Sequence, residues 1–330
     1  MTDELVGVDR EPAGDGGPGS KPGGAPLAPG GAPAPGRGRA PGATDAAAAG
    51  TGRTPADPGP TLRILHLSDL HLRGLGGRER RVLRSAARLA PDLICLTGDL
   101  AEGARGHEAL RAWAAQIASV APTFAVLGDH DFLLQPADRA RLEAALRRAG
   151  VHLLRNRSSW VSGPGWRVWV VGVDDARKGV ADLARAMRGD AARAAQNGVP
   201  HQGSEVRLLL SHWPGTAPEA AEKGFHLVLA GDTHGGQVNL PWLGPVWAWM
   251  KERSPYLDGV YHLGGTWLHV SRGLGWSHLP VRFRCRPQVA LLELPLGPVP
   301  VAEHPPETAV EPLAGPAVAG EPLAARTRRA

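Results

Sequence analysis

The chain is predicted to fold as a layered α/β protein, a four-layer α-β-β-α sandwich of two mixed β-sheets flanked by helices. Three observations predict it. Short apolar runs recur, each reading as a buried strand that delivers polar residues at its carboxyl end. Segments of helical periodicity separate the earlier runs, which is the strand-turn-helix rhythm of layered α/β proteins. The later runs stand too close together to leave room for helices, so part of the sheet is expected to be mixed or antiparallel.

Taken in order, Leu62 to Leu67 is the first strand, ending in Ser68-Asp69-Leu70-His71. Glu79 to Leu89 places apolar positions at helical spacing amid Arg, and Pro91 stops that helix before the strand Leu93 to Leu96. The strand runs into Thr97-Gly98-Asp99-Leu100, and Leu110, Trp113, Ile117 and Val120 share one face of a helix over Gly106 to Val120. Phe124 to Leu127 leads into Gly128-Asp129-His130-Asp131, followed by a helix from Pro136 to Ala149 that ends at Gly150. Trp166 to Val173 and Val206 to Ser211 are strands separated by an Ala/Arg-rich helical stretch, Val180 to Gln196, and the second ends in Ser211-His212-Trp213-Pro214. His226 to Ala230 leads into Gly231-Asp232-Thr233-His234-Gly235-Gly236-Gln237, and Gly259 to His262, Thr266 to Ser271 and Gln288 to Leu294 complete the strands.

Composition bounds the organisation. Of 330 residues, 44 are Gly and 31 Pro, concentrated in the first sixty and the last thirty. Residues 1–60 and 299–330 are therefore expected to be disordered tails around one domain, 61–298, which holds all ten Trp and both Cys. The net charge of +5 comes mostly from Arg spread along helices and tails, without the basic block or aromatic stripe of a nucleic-acid face. Cys95 and Cys285 stand far apart in dissimilar runs, implying neither a disulfide nor a nucleophile. No run approaches the roughly 18 apolar residues of a membrane span, and Met1 to Arg10 has no hydrophobic signal core, so a cytoplasmic location is expected.

Five strand ends carry acidic or histidine residues: Asp69 with His71, Asp99, Asp129 with His130, His212, and Asp232 with His234. Singly, an Asp after a strand is an ordinary helix cap and a His an ordinary surface or core residue. Jointly they read differently. Carboxylates converging on one edge repel unless cations neutralise them, and carboxylate with imidazole suits Mn, Fe, Zn or Mg. Adjacent divalent cations at the carboxyl ends of the strands are expected.

In their order these residues resemble the pattern of the calcineurin-like metallophosphoesterases: Asp-x-His, Gly-Asp, Gly-Asn-His-Asp, a lone His, then Gly-His-x-His. Gly231 to Gln237, with Ser271-Arg272-Gly273-Leu274-Gly275 and Pro280-Val281-Arg282-Phe283 beyond it, is similar to the bacterial branch carrying Gly-His-Thr-His-Gly-Gly-Gln, and the resemblance spans Leu62 to Leu294. It implies one metal site of Asp69, His71, Asp99 and His234, and a second of Asp99 as bridge with Asp129, His212 and Asp232. It further implies hydrolysis of a phosphodiester or pyrophosphate by a hydroxide bridging the two metals, without a covalent enzyme intermediate. By the same resemblance His130 contacts the phosphate and assists the leaving oxygen. Glu102, three residues past Asp99, either orients His130 or stands solvated in the first turn of a helix.

Two departures fall in the second site. Asp129 stands where the family pattern has Asn, and Asp232 where it has the first His of Gly-His-x-His, adding two negative charges and removing one imidazole. The second site is thus expected to prefer Mn, Fe or Mg over Zn, unless the changes mark a non-catalytic metal-binding homologue. A nuclease is a third reading, against which the missing basic groove counts. Leu240 to Met250, with Trp242, Trp247 and Trp249, either packs on the core or forms an apolar lip for an acyl chain or peripheral contact with a bilayer. Relatives acting on lipid-linked or cell-envelope phosphoesters make a lipid substrate one expectation beside a small phosphoester.

Overall fold

Leu62, Ile64 and His66 alternate with Leu65 and Leu67 across a strand whose every residue from Ile64 onward is buried, so this segment must lie between two covered faces. The computed structural model describes residues 61–188, 204–242, 244–245, 254–296 and 306–312. The chain divides into two units, Met1–Gly36 and Arg37–Ala330; the first lies outside the described residues, and all that follows concerns the second.

Its strands are β1 (Thr61–Leu67), β2 (Leu93–Thr97), β3 (Thr123–Val126), β4 (His152–Leu153), β5 (Arg157–Gly163), β6 (Trp166–Gly172), β7 (Ser204–Leu210), β8 (Leu227–Ala230), β9 (Asn239–Leu240), β10 (Gly244–Pro245), β11 (Gly259–Leu263), β12 (Thr266–Val270), β13 (Gln288–Pro295) and β14 (Glu307–Pro312). The helices used below are α1 (Gly77–Leu89), α2 (Gly103–Ala118), α3 (Asp129–Leu133), α4 (Pro136–Arg148) and α5 (Ala217–Glu222). One sheet has the order β14-β13-β1-β2-β3-β4, with β1 to β4 parallel and β13 and β14 antiparallel. The other has the order β11-β12-β8-β7-β6-β5, parallel from β12 through β6 and antiparallel at both edges. Both sheets are mixed, as the crowded late strands require.

Three hydrophobic layers hold these sheets together. Leu62, Ile64, Phe124 and Val126 meet Val168, Val170, Leu208 and Leu229 between the sheets. On the outer face of the first sheet, Leu65, Leu67 and Leu96 pack on Val82, Leu110, Trp113 and Leu146 of α1, α2 and α4. Outside the second, Trp169, Leu209 and Val228 cover Ala217, Ala220 and Phe225. Each fully buried side chain of this size contributes about 1.5–3 kcal/mol. The result is the expected α-β-β-α sandwich.

Several elements differ from the sequence pattern. The turn predicted at Gly128 to Asp131 is the one-turn helix α3, in which the buried Asp131 carboxylate accepts the backbone N–H of Gly128 (2.9 Å) and of Leu100 (3.1 Å). Asp131 therefore acts inside α3. Strand β5, rich in Ser and half-buried, carries no apolar run and escapes a search for one. Residues 299–330 are expected to lack structure, yet Glu307–Pro312 pairs with β13 because that strand would otherwise leave a row of backbone groups open. Of the helical stretch Val180 to Gln196, residues 180–182 are not helical, 183–188 are, and the rest lies outside the described residues, as do Trp247, Trp249 and residues 1–60. No helix among the described residues is long and apolar enough to cross a membrane.

Candidate metal centre

The carboxyl ends of β1, β2 and β3 deliver Asp69, Asp99 and Asp129, and those of β7 and β8 deliver His212 and Asp232 with His234. Parallel strands place these ends on one edge of each sheet, and stacking the sheets brings the two edges together. The loops are strained to do it. Ten non-glycine residues among those described have φ in the left-handed region, and five are site residues: Asp69 (48°), His71 (40°), Asp99 (51°), Asp232 (69°) and His234 (52°). Gly98 (φ 90°) is required between them, since a Cβ there would meet both Gly128 N and His212 Nδ1 at 2.6 Å.

One set gathers Asp69, His71, Asp99 and His234. His71 Nε2 lies 3.2 Å from His234 Nε2 and 3.3 Å from Asp99 Oδ2, while His234 Nε2 lies 3.3 Å from Asp69 Oδ1. A tetrahedral ion with bonds of about 2.1 Å spaces its donors about 3.4 Å apart, so this cage has the right dimensions. A second set gathers Asp99, Asp129 and His212, with His212 Nε2 at 3.5 Å from Asp99 Oδ1 and 3.6 Å from Asp129 Oδ1. Asp232 stands at its margin, Oδ1 3.7 Å from His212 Nε2. Asp99 belongs to both sets, as a bridging carboxylate must.

Two imidazoles are oriented from behind. His212 Nδ1 lies 2.6 Å from the Thr97 carbonyl, and His71 Nδ1 lies 2.6 Å from Glu102 Oε1. Each carbonyl or carboxylate accepts a hydrogen bond from Nδ1–H and so leaves Nε2 facing the centre. There, the buried His212 Nε2 and Asp99 Oδ2 have no hydrogen-bond partner. Polar atoms left so inside a protein are costly unless something fills the space between them. Both sets thus fit divalent cations in size, donor chemistry and orientation.

Without a cation the charges strain against one another. Burial pushes the Asp69 carboxyl up and the adjacent Asp99 reinforces this, whereas Asp99 is held well below its usual range because His212 and His71 outweigh its burial. Burial opposes protonation of His71, but Asp99 and Glu102 raise it to about 9; His212 is likewise driven upward by Asp99 and Asp129. A divalent ion would take the place of these protons.

Glu102, with 26% of its side chain exposed, is not devoted to His130 alone. At the N-cap of α2 it accepts from His71 and, at 2.5 Å, from Arg73, with His130 Nδ1 3.6 Å away. Contacts with His130 and His71 hold its carboxyl far below normal, and Glu102 in turn raises His130. The His130 ring stands edge-on to His71, 5.0 Å between centroids, and its backbone N–H donates to Asp99 Oδ1. Gln237 explains the tail of the Gly231 to Gln237 run: its amide grips Ser277 and Leu279, placing Ser277 Oγ 3.4 Å from His130 Nε2.

Sequence reasoning misses Arg177, whose Nη1 donates to Asp232 Oδ1 at 2.7 Å and stands 3.9 Å from Asp129 Oδ2. Nothing in its Ala-Arg-Lys surroundings distinguishes it from a surface arginine. It misses His66 also, which is fully buried with Nδ1 2.7 Å from His269 Nδ1 and Nε2 2.8 Å from Thr97 Oγ1. Its place two residues past Ile64, on the interlayer face, is the signal that finds it.

The family model for calcineurin-like phosphoesterases matches residues 62–236, from β1 through Gly236. Phosphodiesterase YaeI of Escherichia coli (strain K12) is 29% identical over 242 residues, covering 71% of this chain and 82% of the relative. The uncharacterized metallophosphoesterase YkuE of Bacillus subtilis (strain 168) is 27% identical over 239 residues, covering 71% and 79%. Among solved structures, the Thermus thermophilus sulfate thiohydrolase SoxB aligns with a TM-score of 0.48 at 15% identity, over 79% of this chain and 58% of that one. With more than half its length matched by the family model and its acidic and histidine residues gathered where two sheets meet, the chain belongs to the calcineurin-like phosphoesterase family and is a metal-dependent phosphoesterase.

Proposed function

We propose that the protein hydrolyses a phosphodiester or pyrophosphate with two divalent ions, one held by Asp69, His71, Asp99 and His234, the other by Asp99, Asp129, His212 and Asp232. The observation that carries this reading is the pair of oriented imidazoles: His71 and His212 have Nδ1 engaged from behind and Nε2 turned onto shared carboxylates, with Asp99 Oδ2 and His212 Nε2 lacking any hydrogen-bond partner. Bound ions would neutralise phosphoryl oxygens and supply an activated water as nucleophile at neutral pH. The second set is rich in oxygen donors and favours Mn, Fe or Mg over Zn.

The remaining steps belong to the chain. His130, made more basic by Glu102, holds a proton to deliver to the leaving oxygen. Beside His71 a groove is walled by Arg73, Arg78, Arg105 and Trp276, with the Arg73 and Arg78 guanidinium carbons each 5.4 Å from the Trp276 ring centroid. Its positive walls would draw an anionic ester toward the centre. Trp242, 96% exposed just past the His234 loop, supports a substrate with an apolar portion, a lipid-linked phosphoester among them, and contact with a bilayer surface.

The test is hydrolysis by protein stripped of metal and reloaded with Mn, Fe, Mg or Zn. Substrates are bis-p-nitrophenyl phosphate, a lipid-linked phosphodiester and a DNA oligonucleotide. Turnover with Mn, lost on chelation and cut at least about 100-fold in Asp99→Asn, is expected. No turnover with any ion would make the protein a non-catalytic homologue, preference for DNA would make it a nuclease, and full activity with Zn alone would remove the preference for harder ions.

A further inference from the structure

The second subsite brings the carboxylates of Asp99, Asp129 and Asp232 around the buried His212. All three carboxylates are nearly buried, and like charges so placed disfavour one another unless a cation stands among them. A cation already stands there. Arg177 Nη1 donates to Asp232 Oδ1 at 2.7 Å and lies 3.9 Å from Asp129 Oδ2, joining the two positions at which this chain departs from the pattern it resembles. The two departing carboxylates share one guanidinium.

The guanidinium is presented by a built turn. Arg177 sits in a one-turn 3-10 segment, Ala176–Lys178, directly after β6, where the Asp175 side chain accepts the Lys178 backbone N–H and Gly179 closes the turn at φ 68°. The segment packs against α3, which carries Asp129, and only 21% of the Arg177 side chain is exposed. Asp232 is drawn toward Arg177, and this explains why Asp232 stands at the margin of the second set while Asp99, Asp129 and His212 close up within it.

We propose that Arg177 is the resident cation of the second subsite and competes there with the second divalent ion. Resting on the two-ion reading above, the assignment makes the protein bind one ion tightly and a second only when free ion is plentiful enough to displace Arg177 from Asp232. Occupancy of the second subsite then follows ion concentration. A guanidinium has no pKa low enough to leave by losing its proton, so only movement of the side chain clears the way.

The test is calorimetric titration of the full metal-free chain with Mn, with ions per chain counted by mass spectrometry. Wild type is expected to show one tight and one weak step; Arg177→Gln should tighten the second by about tenfold or more, the scale on which a neighbouring charge acts, and Arg177→Lys should change it less. In an Asp232→Asn background, Arg177→Gln should have little further effect. Thermal melting confirms that each variant is folded. An unchanged or weaker second step in Arg177→Gln, or one accompanied by a raised KM alone, overturns the assignment and leaves the two-ion reading standing. A folded wild-type chain that binds no Mn sinks the two-ion reading itself.

Discussion

At the scale of single residues, the centre works by holding each donor from behind. Glu102 and the Thr97 carbonyl fix the faces that His71 and His212 turn inward, and Gln237 positions Ser277 beside His130. His130 meets the centre through its backbone bond to Asp99 and its ring against His71, and belongs to neither gathered set that contains Asp99. Its replacement should therefore separate chemistry from ion binding. His130→Asn is expected to lower turnover by about 10²–10⁴-fold with ion content unchanged, as loss of a general acid does; turnover equal to wild type would remove His130 from the reaction. The residues placed together here were legible in the sequence because each follows an apolar run. Arg177 was not, because a lone arginine after a strand has no local feature to mark the partner it meets fifty-five positions later.

At the scale of elements, the strands carry the geometry and their carboxyl-end turns carry the strain. Gly98 and Gly128 let the β2 and β3 turns approach until the Gly128 backbone, Asp99 and His212 touch. Gly98→Ala combines a Cβ that meets two fixed atoms at 2.6 Å with a φ of 90°, and should cost at least about 2 kcal/mol in chemical denaturation. A variant as stable as wild type would show that these turns relax freely. Short apolar runs ending in polar turns made β1, β2, β3, β7 and β8 readable to within a residue or two. The elements that periodicity overlooked are those made by pairing: β5 lies against β6 with Ser on its faces, and β14 exists because β13 offers an edge. Tertiary context supplies them.

At the scale of the whole molecule, the largely apolar layer described between the sheets is interrupted where His66 of β1 meets His269 of β12 and Thr97 of β2. The two rings share one proton between their Nδ1 atoms, and His269 Nε2 has no partner, so the pair is at home only when neutral. Burial lowers both, His269 to about 4 with Arg272 assisting. The unfolded chain accepts protons near pH 6.5 that the folded chain refuses. The contribution of the pair is thus fully present above about pH 6.5 and lost as pH falls toward 4, by up to about 3 kcal/mol. Urea denaturation at pH 7.5 and 4.5 checks this: His269→Gln should lose distinctly less stability on acidification than wild type, and an equal loss would clear the pair of any part.

The two sheets also meet at the centre itself, the first supplying Asp69, Asp99 and Asp129 and the second His212, Asp232 and His234. During synthesis the acidic half emerges first, and about eighty residues separate Asp129 from His212. Until the second sheet follows from the ribosome, His71 is the one imidazole of the two sets that those acids can face, and they have no reason to be dry. The later strands β7 and β8 decide when the centre closes, and an ion captured then would lock the two halves together.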